Sequence, residues 1–170
     1  MKLARISIGQ KGKIKESYAP PGIREKLMID SGRYTIGIEY PLKRDKEVKD
    51  KKVINDATYF VVYWCKTCVY KEKQQKFIGI YENKGLLTID SEEQYRMNYL
   101  GMDNIMSPEK FERIYRHQYI TGQRKGYGAN LNKIYDGVLN FPENVHVTGD
   151  FGNIKNEKNI EYIQDILLTL

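Results

Sequence analysis

Cys65 and Cys68 are separated by two residues at the end of the apolar run Ala57-Thr58-Tyr59-Phe60-Val61-Val62-Tyr63-Trp64, and they are the only cysteines in the chain. A thiolate is both a nucleophile and a metal ligand, so this spacing has two chemical uses. As a metal site, the pair supplies two of the four ligands that tetrahedral zinc requires. His117 and His146, the only histidines, are available to complete the set, as is a second copy of the chain. In a reducing compartment the two thiols are not expected to form a structural disulfide. The plain alternative is a pair of small, soft side chains at a strand end. That reading is favoured here, so no cofactor is expected and zinc at Cys65 and Cys68 is kept as the alternative.

The string Trp64-Cys65-Lys66-Thr67-Cys68 after a hydrophobic strand resembles the active site of the thioredoxin family. The resemblance covers about a dozen residues. It implies a redox protein in which Cys65 sits at a helix N-terminus, is activated by the helix dipole and attacks, while Cys68 resolves. The sequence departs from the family pattern just beyond. Val69-Tyr70-Lys71-Glu72-Lys73-Gln74-Gln75-Lys76 has no sustained apolar face, and Pro142 is the only late proline to stand opposite the cysteines.

A second constellation is basic. Ser107-Pro108 pairs an N-cap residue with proline at the first helical position, and Phe111, Ile114, Tyr115 and Tyr119 then recur at helical spacing. On that helix Arg113, Arg116 and His117 share one face. Gly122 ends it, and a Gly-rich loop follows with Arg124, Lys125, Tyr127 and Gly128. Arginine contacts phosphate in bidentate fashion, glycine lets backbone approach it, and Tyr127 would stack on a base. From Lys110 to Lys133 there are six basic residues against the single carboxylate of Glu112, the densest one-signed stretch in the chain. In an enzymatic alternative, His117 is the general base of a metal-independent ribonuclease, with Arg113, Arg116 or Lys125 stabilising the phosphorane. His146-Val147-Thr148 resembles one half of the His-x-Thr pair of two-histidine phosphoesterases. Gln118 and Tyr119 stand where the other half would require threonine.

These groups need elements to position them. Residues 2–8 alternate as a short strand, and Gly9-Gln10-Lys11-Gly12 turns. Residues 13–32 read as irregular, broken by Pro20-Pro21-Gly22. Arg33 to Tyr40 is a strand ended by Pro41. Residues 43–52 hold six basic and three acidic residues around one valine, which predicts a charged surface loop. Residues 57–65 form the most buried strand. Lys76 to Tyr81 and Leu86 to Ile89 predict a hairpin turning at Glu82-Asn83-Lys84-Gly85. Ser91 and Gln94 form a capping box for a helix that stops at Gly101. Asn144 to Thr148 returns to strand, and Ile160, Ile163, Leu167 and Leu170 mark a C-terminal amphipathic helix.

The expected fold is therefore α+β in one domain of 170 residues: a mainly antiparallel twisted sheet from the first half against two or three helices from the second. Hydrophobic residues at 41% and charged residues at 29% give a globular rather than disordered chain. No run reaches a membrane span and no signal-peptide block opens the sequence, so a cytoplasmic protein without membrane contact is expected. Phosphate-binding loops, dinucleotide fingerprints and zinc-protease motifs are absent, and Glu93 and Asp150 read as a helix start and a turn. The net charge of +6 attracts polyanions. The function expected is a non-enzymatic interaction protein whose partner is nucleic acid or a nucleic-acid-bound protein, contacted by Arg113, Arg116, His117, Arg124, Lys125 and Tyr127. A second copy of the chain is a further candidate partner. Small, basic, Tyr- and Lys-rich chains of AT-rich coding are common in phages and mobile elements, among them inhibitors of host defence. A protein-only inhibitor or adaptor, using its 14 tyrosines as contact points, is the remaining alternative.

Overall fold

The computed structural model describes residues 1–8, 26, 28–36, 44–65, 75–89, 91, 108–114, 126–146 and 149–170. Within them the chain runs β1 (Leu3–Ile8), β2 (Arg33–Ile36), α1 (Arg44–Asp56), β3 (Tyr59–Cys65), β4 (Gln75–Ile89), α2 (Pro108–Ile114), β5 (Gly126–Leu139), β6 (Phe151–Ile154) and α3 (Glu157–Leu168). The six strands form one sheet in the order β2-β5-β4-β3-β1-β6. Only β1 and β3 pair in parallel, with Leu3 opposite Tyr59 and Ile8 opposite Trp64. The other pairings are antiparallel. The α+β class and the mainly antiparallel sheet are as expected. Its elements are not divided between the two halves of the chain, however, because β5 and β6 come from the second half and α1 from the first.

The sheet curls so that side chains from its two edge strands touch. Tyr34 on edge strand β2 and Phe151 on the opposite edge strand β6 have ring centroids 5.7 Å apart. Tyr127 and Phe60 each place a ring 6.4 Å from Phe151. This concave side holds the larger core, in which Ile6, Phe60, Ile89 and Ala129 pack with Val53 and Ile54 of α1. The second core lies with α3, where Leu3, Val61, Ile80 and Leu139 surround Ile163. Glycine is required at position 128, because a Cβ there would lie 1.7 Å from the Tyr34 carbonyl oxygen. The backbones of β2 and β5 touch at that point.

Besides Lys26 and residues 28–30, which are helical where an irregular stretch was expected, three expectations change. Residues 44–52, expected as a charged loop, belong to the helix α1. Within 43–52 the only apolar residue is Val48, which is 66% exposed. The helix is instead fixed from its C-terminal end, by buried Val53 and Ile54, and by i,i+4 ion pairs Lys46–Asp50 and Glu47–Lys51. Second, the expected hairpin at 82–85 is a bulge within one continuous β4, with β5 paired on both sides of it. Asn83 causes this. Its side-chain amide donates to the carbonyls of Ile54 and Ala57 at 2.7 and 2.8 Å, satisfying the C-terminal end of α1, and its Oδ1 accepts from the Gly85 N–H. Third, Asn144–His146 carry no strand. The buried Asn159 amide of α3 clamps this loop, accepting from the Glu143 N–H at 3.0 Å and donating to the Glu143 carbonyl at 3.2 Å.

The N-terminal strand, the strand ending at Cys65 and the C-terminal helix stand as expected. α3 buries Ile163 and packs Ile160 and Leu167 against the core, while Leu170 lies past its end and is exposed. Residues 37–40 of the second expected strand lie outside the described residues, as does the helix expected after Ser91. No helix among the described residues is long and apolar enough to cross a membrane.

Candidate functional site

Two polar regions flank the curled sheet. The first links α1, β5 and the segment before β6. Lys46 and Asp50 share one face of α1 because they are four residues apart. The Lys46 ammonium donates to Asp50 Oδ2 at 2.7 Å and to Asp150 Oδ2, just before β6, also at 2.7 Å. Asp50 Oδ2 accepts a further bond from the Tyr127 hydroxyl of β5 at 2.6 Å. Arg5 of β1 supports the same bend. It is 2% exposed and donates to Ser7 Oγ at 2.7 Å and to the Gly149 carbonyl at 3.0 Å, while the Ser7 N–H meets the Asp150 carbonyl. One helix and three strands are thereby tied across the gap in the sheet.

The electrostatics assign this junction a structural part. Burial alone would lower the pKa of Lys46, but hydrogen bonds to Asp150 and Asp50 outweigh it and hold the ammonium above its ordinary value. A lysine so held stays charged at neutral pH, which is the opposite of a catalytic amine. Burial, followed by the bond to Asp50, pushes the Tyr127 phenol up. Burial lowers Arg5 to about 10 against the attraction of Asp150, Tyr63 and Asp50. The three groups are therefore charged, neutral and charged at pH 7, which suits an ion lock that ties the fold.

The second region is a cleft of about 560 Å³ between the clamped loop 142–146 and the corner where β6 passes into α3. Ile154 and Asn159 are its buried parts and Val145 is half-buried. Asn144, His146, Asn153 and Lys155 are its exposed rim. Asn156 caps α3 by accepting from the Asn159 N–H, and the Tyr162 hydroxyl accepts from the Asn140 N–H at 2.9 Å, so both walls are fixed.

The site residues expected from sequence fall in different places. Tyr127 does not reach a ligand: it is fully buried within β5 and bonded to Asp50, which removes it from any base-stacking surface. Gly128 beside it serves the close approach of β2 and β5 rather than a phosphate loop. Lys133, counted with the basic stretch, is also in β5 and pairs with Asp30 at 3.2 Å and Asp136 at 3.7 Å. Arg113 is exposed in the last turn of α2. Arg116, His117, Arg124 and Lys125 lie outside the described residues. Cys65 is the last residue of β3 and Cys68 lies outside them. Among the described residues no cluster of three His, Cys, Asp or Glu is arranged to hold a metal ion.

Sequence reading missed Lys46, Asp50 and Asp150 as a set. The i,i+4 spacing of Lys46 and Asp50 was the available signal, but it sat in a stretch too charged to suggest a packed helix. His146, noticed for its neighbour Thr148, sits at the cleft rim. Comparison with protein-family models, characterised proteins and solved structures returned no match.

Proposed function

We propose that this is a non-enzymatic basic interaction protein that binds nucleic acid through Arg113, Arg116, His117, Arg124 and Lys125. The observation that supports this reading is how the charge is distributed. The described residues hold 16 of the 28 Lys and Arg and 14 of the 22 Asp and Glu, so they carry only +2 of the +6. Much of that charge is paired, as in Lys2–Asp56, Lys26–Asp30, Lys51–Glu47 and Lys158–Glu143. The remaining +4 is carried by the other residues of the sequence, among which 115–125 contribute basic residues without one carboxylate. That segment joins the sheet at Gly126, directly before Tyr127. Tyr127 itself is held in β5 by its bond to Asp50, in place of the stacking part expected of it.

The test is fluorescence anisotropy with short labelled DNA and RNA strands across a salt series. Phosphate contacts release counterions, so log K must fall linearly with log salt, by about 0.7 per contact for single strands. Arg113→Glu with Arg124→Glu should abolish binding while the circular dichroism spectrum is unchanged. Salt-independent binding, or binding unaffected by the double variant, overturns the proposal. Strand cleavage lost in His117→Ala would move the protein into the ribonuclease class instead.

A further inference from the structure

We infer that the cleft between loop 142–146 and the β6–α3 corner binds a mononucleotide, either free or as the terminal nucleotide of a strand. This inference does not rest on the function proposed above. Its size falls within the range of clefts that take small organic ligands. Its walls are preformed, because the Asn159 amide holds the backbone of Glu143 at both N–H and carbonyl. A preformed wall lowers the ordering cost of binding.

Chemistry selects the ligand. Among the described residues Lys155 makes no ion pair, although seven other lysines of the framework do. His146 stands at the same rim. The one carboxylate of the lining, Glu143, faces Lys158 at 3.5 Å and is offset by it. Lys155 is therefore a cation at the cleft rim with no carboxylate bound to it among the described residues, which suits an anion. Inorganic phosphate alone would leave the rest unused. Asn144 and Asn153 offer side-chain amides, each able to donate and accept at once, which is the pattern that reads a base edge. Val145 and Ile154 give an apolar surface for the face of a ring. A phosphate, an amide-reading edge and an apolar face together describe a nucleotide.

The test is a titration of the isotopically labelled full chain with AMP, CMP, GMP and UMP, with ribose 5-phosphate and inorganic phosphate alongside, following backbone amides by NMR. At least one nucleotide should give saturable shifts at residues 144–146 and 153–156, with inorganic phosphate about tenfold weaker. Lys155→Glu, an exposed position, should weaken the nucleotide about tenfold and leave the remaining spectrum in place. Arg113→Glu with Arg124→Glu should leave mononucleotide binding intact, which separates this site from the basic segment. Shifts with a 5′-phosphorylated oligonucleotide in that double variant would name the strand end as the source, and shifts with mononucleotides alone would name the free nucleotide. No saturable shift with any nucleotide, phosphate binding as tight as the nucleotides, or shifts spread evenly over lysines of α1 and the cleft would each overturn the inference.

Discussion

The junction around Asp50 and the cleft around Asn159 are built from similar materials. Each has a buried polar side chain on a helix, a lysine near it and a bend of chain before or after β6. In the junction the lysine lies between two carboxylates and every charge is matched. In the cleft the buried side chain is a neutral amide that bonds only to backbone, and Lys155 and His146 are left at the rim. The difference is one of burial. A charge removed from water must be paired or it destabilises the fold, whereas a charge at an open rim keeps its hydration and remains available to a ligand. The junction therefore reads as architecture and the cleft as a place for recognition.

The sharpest way to break that contrast is Asp50→Ala. It removes the acceptor shared by Lys46 and Tyr127, leaving the buried Tyr127 hydroxyl without it and Lys46 with Asp150 alone. Loss of one partner from a fully buried ion pair costs about 3–5 kcal/mol, and the low end applies here because Lys46 is partly exposed and keeps Asp150. The expected outcome is a drop of about 3 kcal/mol in urea-unfolding stability, with the edges of the sheet loosened at Phe151. A loss under about 1 kcal/mol would mean that the junction is ornamental and that aromatic packing alone closes the curl.

Asn159→Ala tests the other side of the comparison, with a smaller expected effect of about 2 kcal/mol. Two backbone groups of Glu143 lose their partner, and each unmade buried bond costs about 1–3 kcal/mol, less where water reaches it. The loop wall is then free, so nucleotide-induced shifts at residues 144–146 should weaken along with stability. A stability loss with unchanged nucleotide binding would show that the wall needs no clamp.

Much of the framework was legible in the sequence. β1, β3 and α3 carry their own patterns: apolar alternation before Ile8, a continuous apolar run before Cys65, and Ile160, Ile163 and Leu167 at helical spacing. The misreadings share one cause. Lys46, Asp50, Asn83 and Tyr127 each owe their conformation to a partner far along the chain. A window around residues 43–52 shows solvated charge, and only Asp150, a hundred residues on, explains why Lys46 is packed. Asn83-Lys84-Gly85 has the composition of a turn, yet Asn83 is committed to the end of α1 and the strand passes through. Gly126-Tyr127-Gly128 has the composition of a loop, yet glycine is there because the Tyr34 carbonyl occupies the space of a side chain. At the cleft, His146 was visible, while the clamp that shapes its surroundings was not, because Asn159 looks like any polar residue on a helix.

The smallest and most specific change is Tyr127→Phe. It deletes one hydroxyl and leaves the ring against Phe151, so its cost at pH 7 is about 1 kcal/mol. Its signature is in the pH dependence. The folded protein holds the Tyr127 phenol above its ordinary value, while the unfolded chain ionises near pH 10. The native state then binds more protons than the unfolded state above that point, so the Tyr127 contribution is fully present below about pH 10 and is lost as pH rises beyond it. Lys46, also raised, acts in the same direction, and Arg5, lowered to about 10, acts against both. Subtracting the variant's stability curve from that of the wild type cancels Lys46 and Arg5 to first order and isolates the phenol. The difference should be flat from pH 6 to about pH 9 and shrink above about pH 10. A difference that stays flat through the alkaline range would mean that the Tyr127 hydroxyl ionises as easily in the folded protein as in water. The bond to Asp50 would then contribute nothing to closing the sheet.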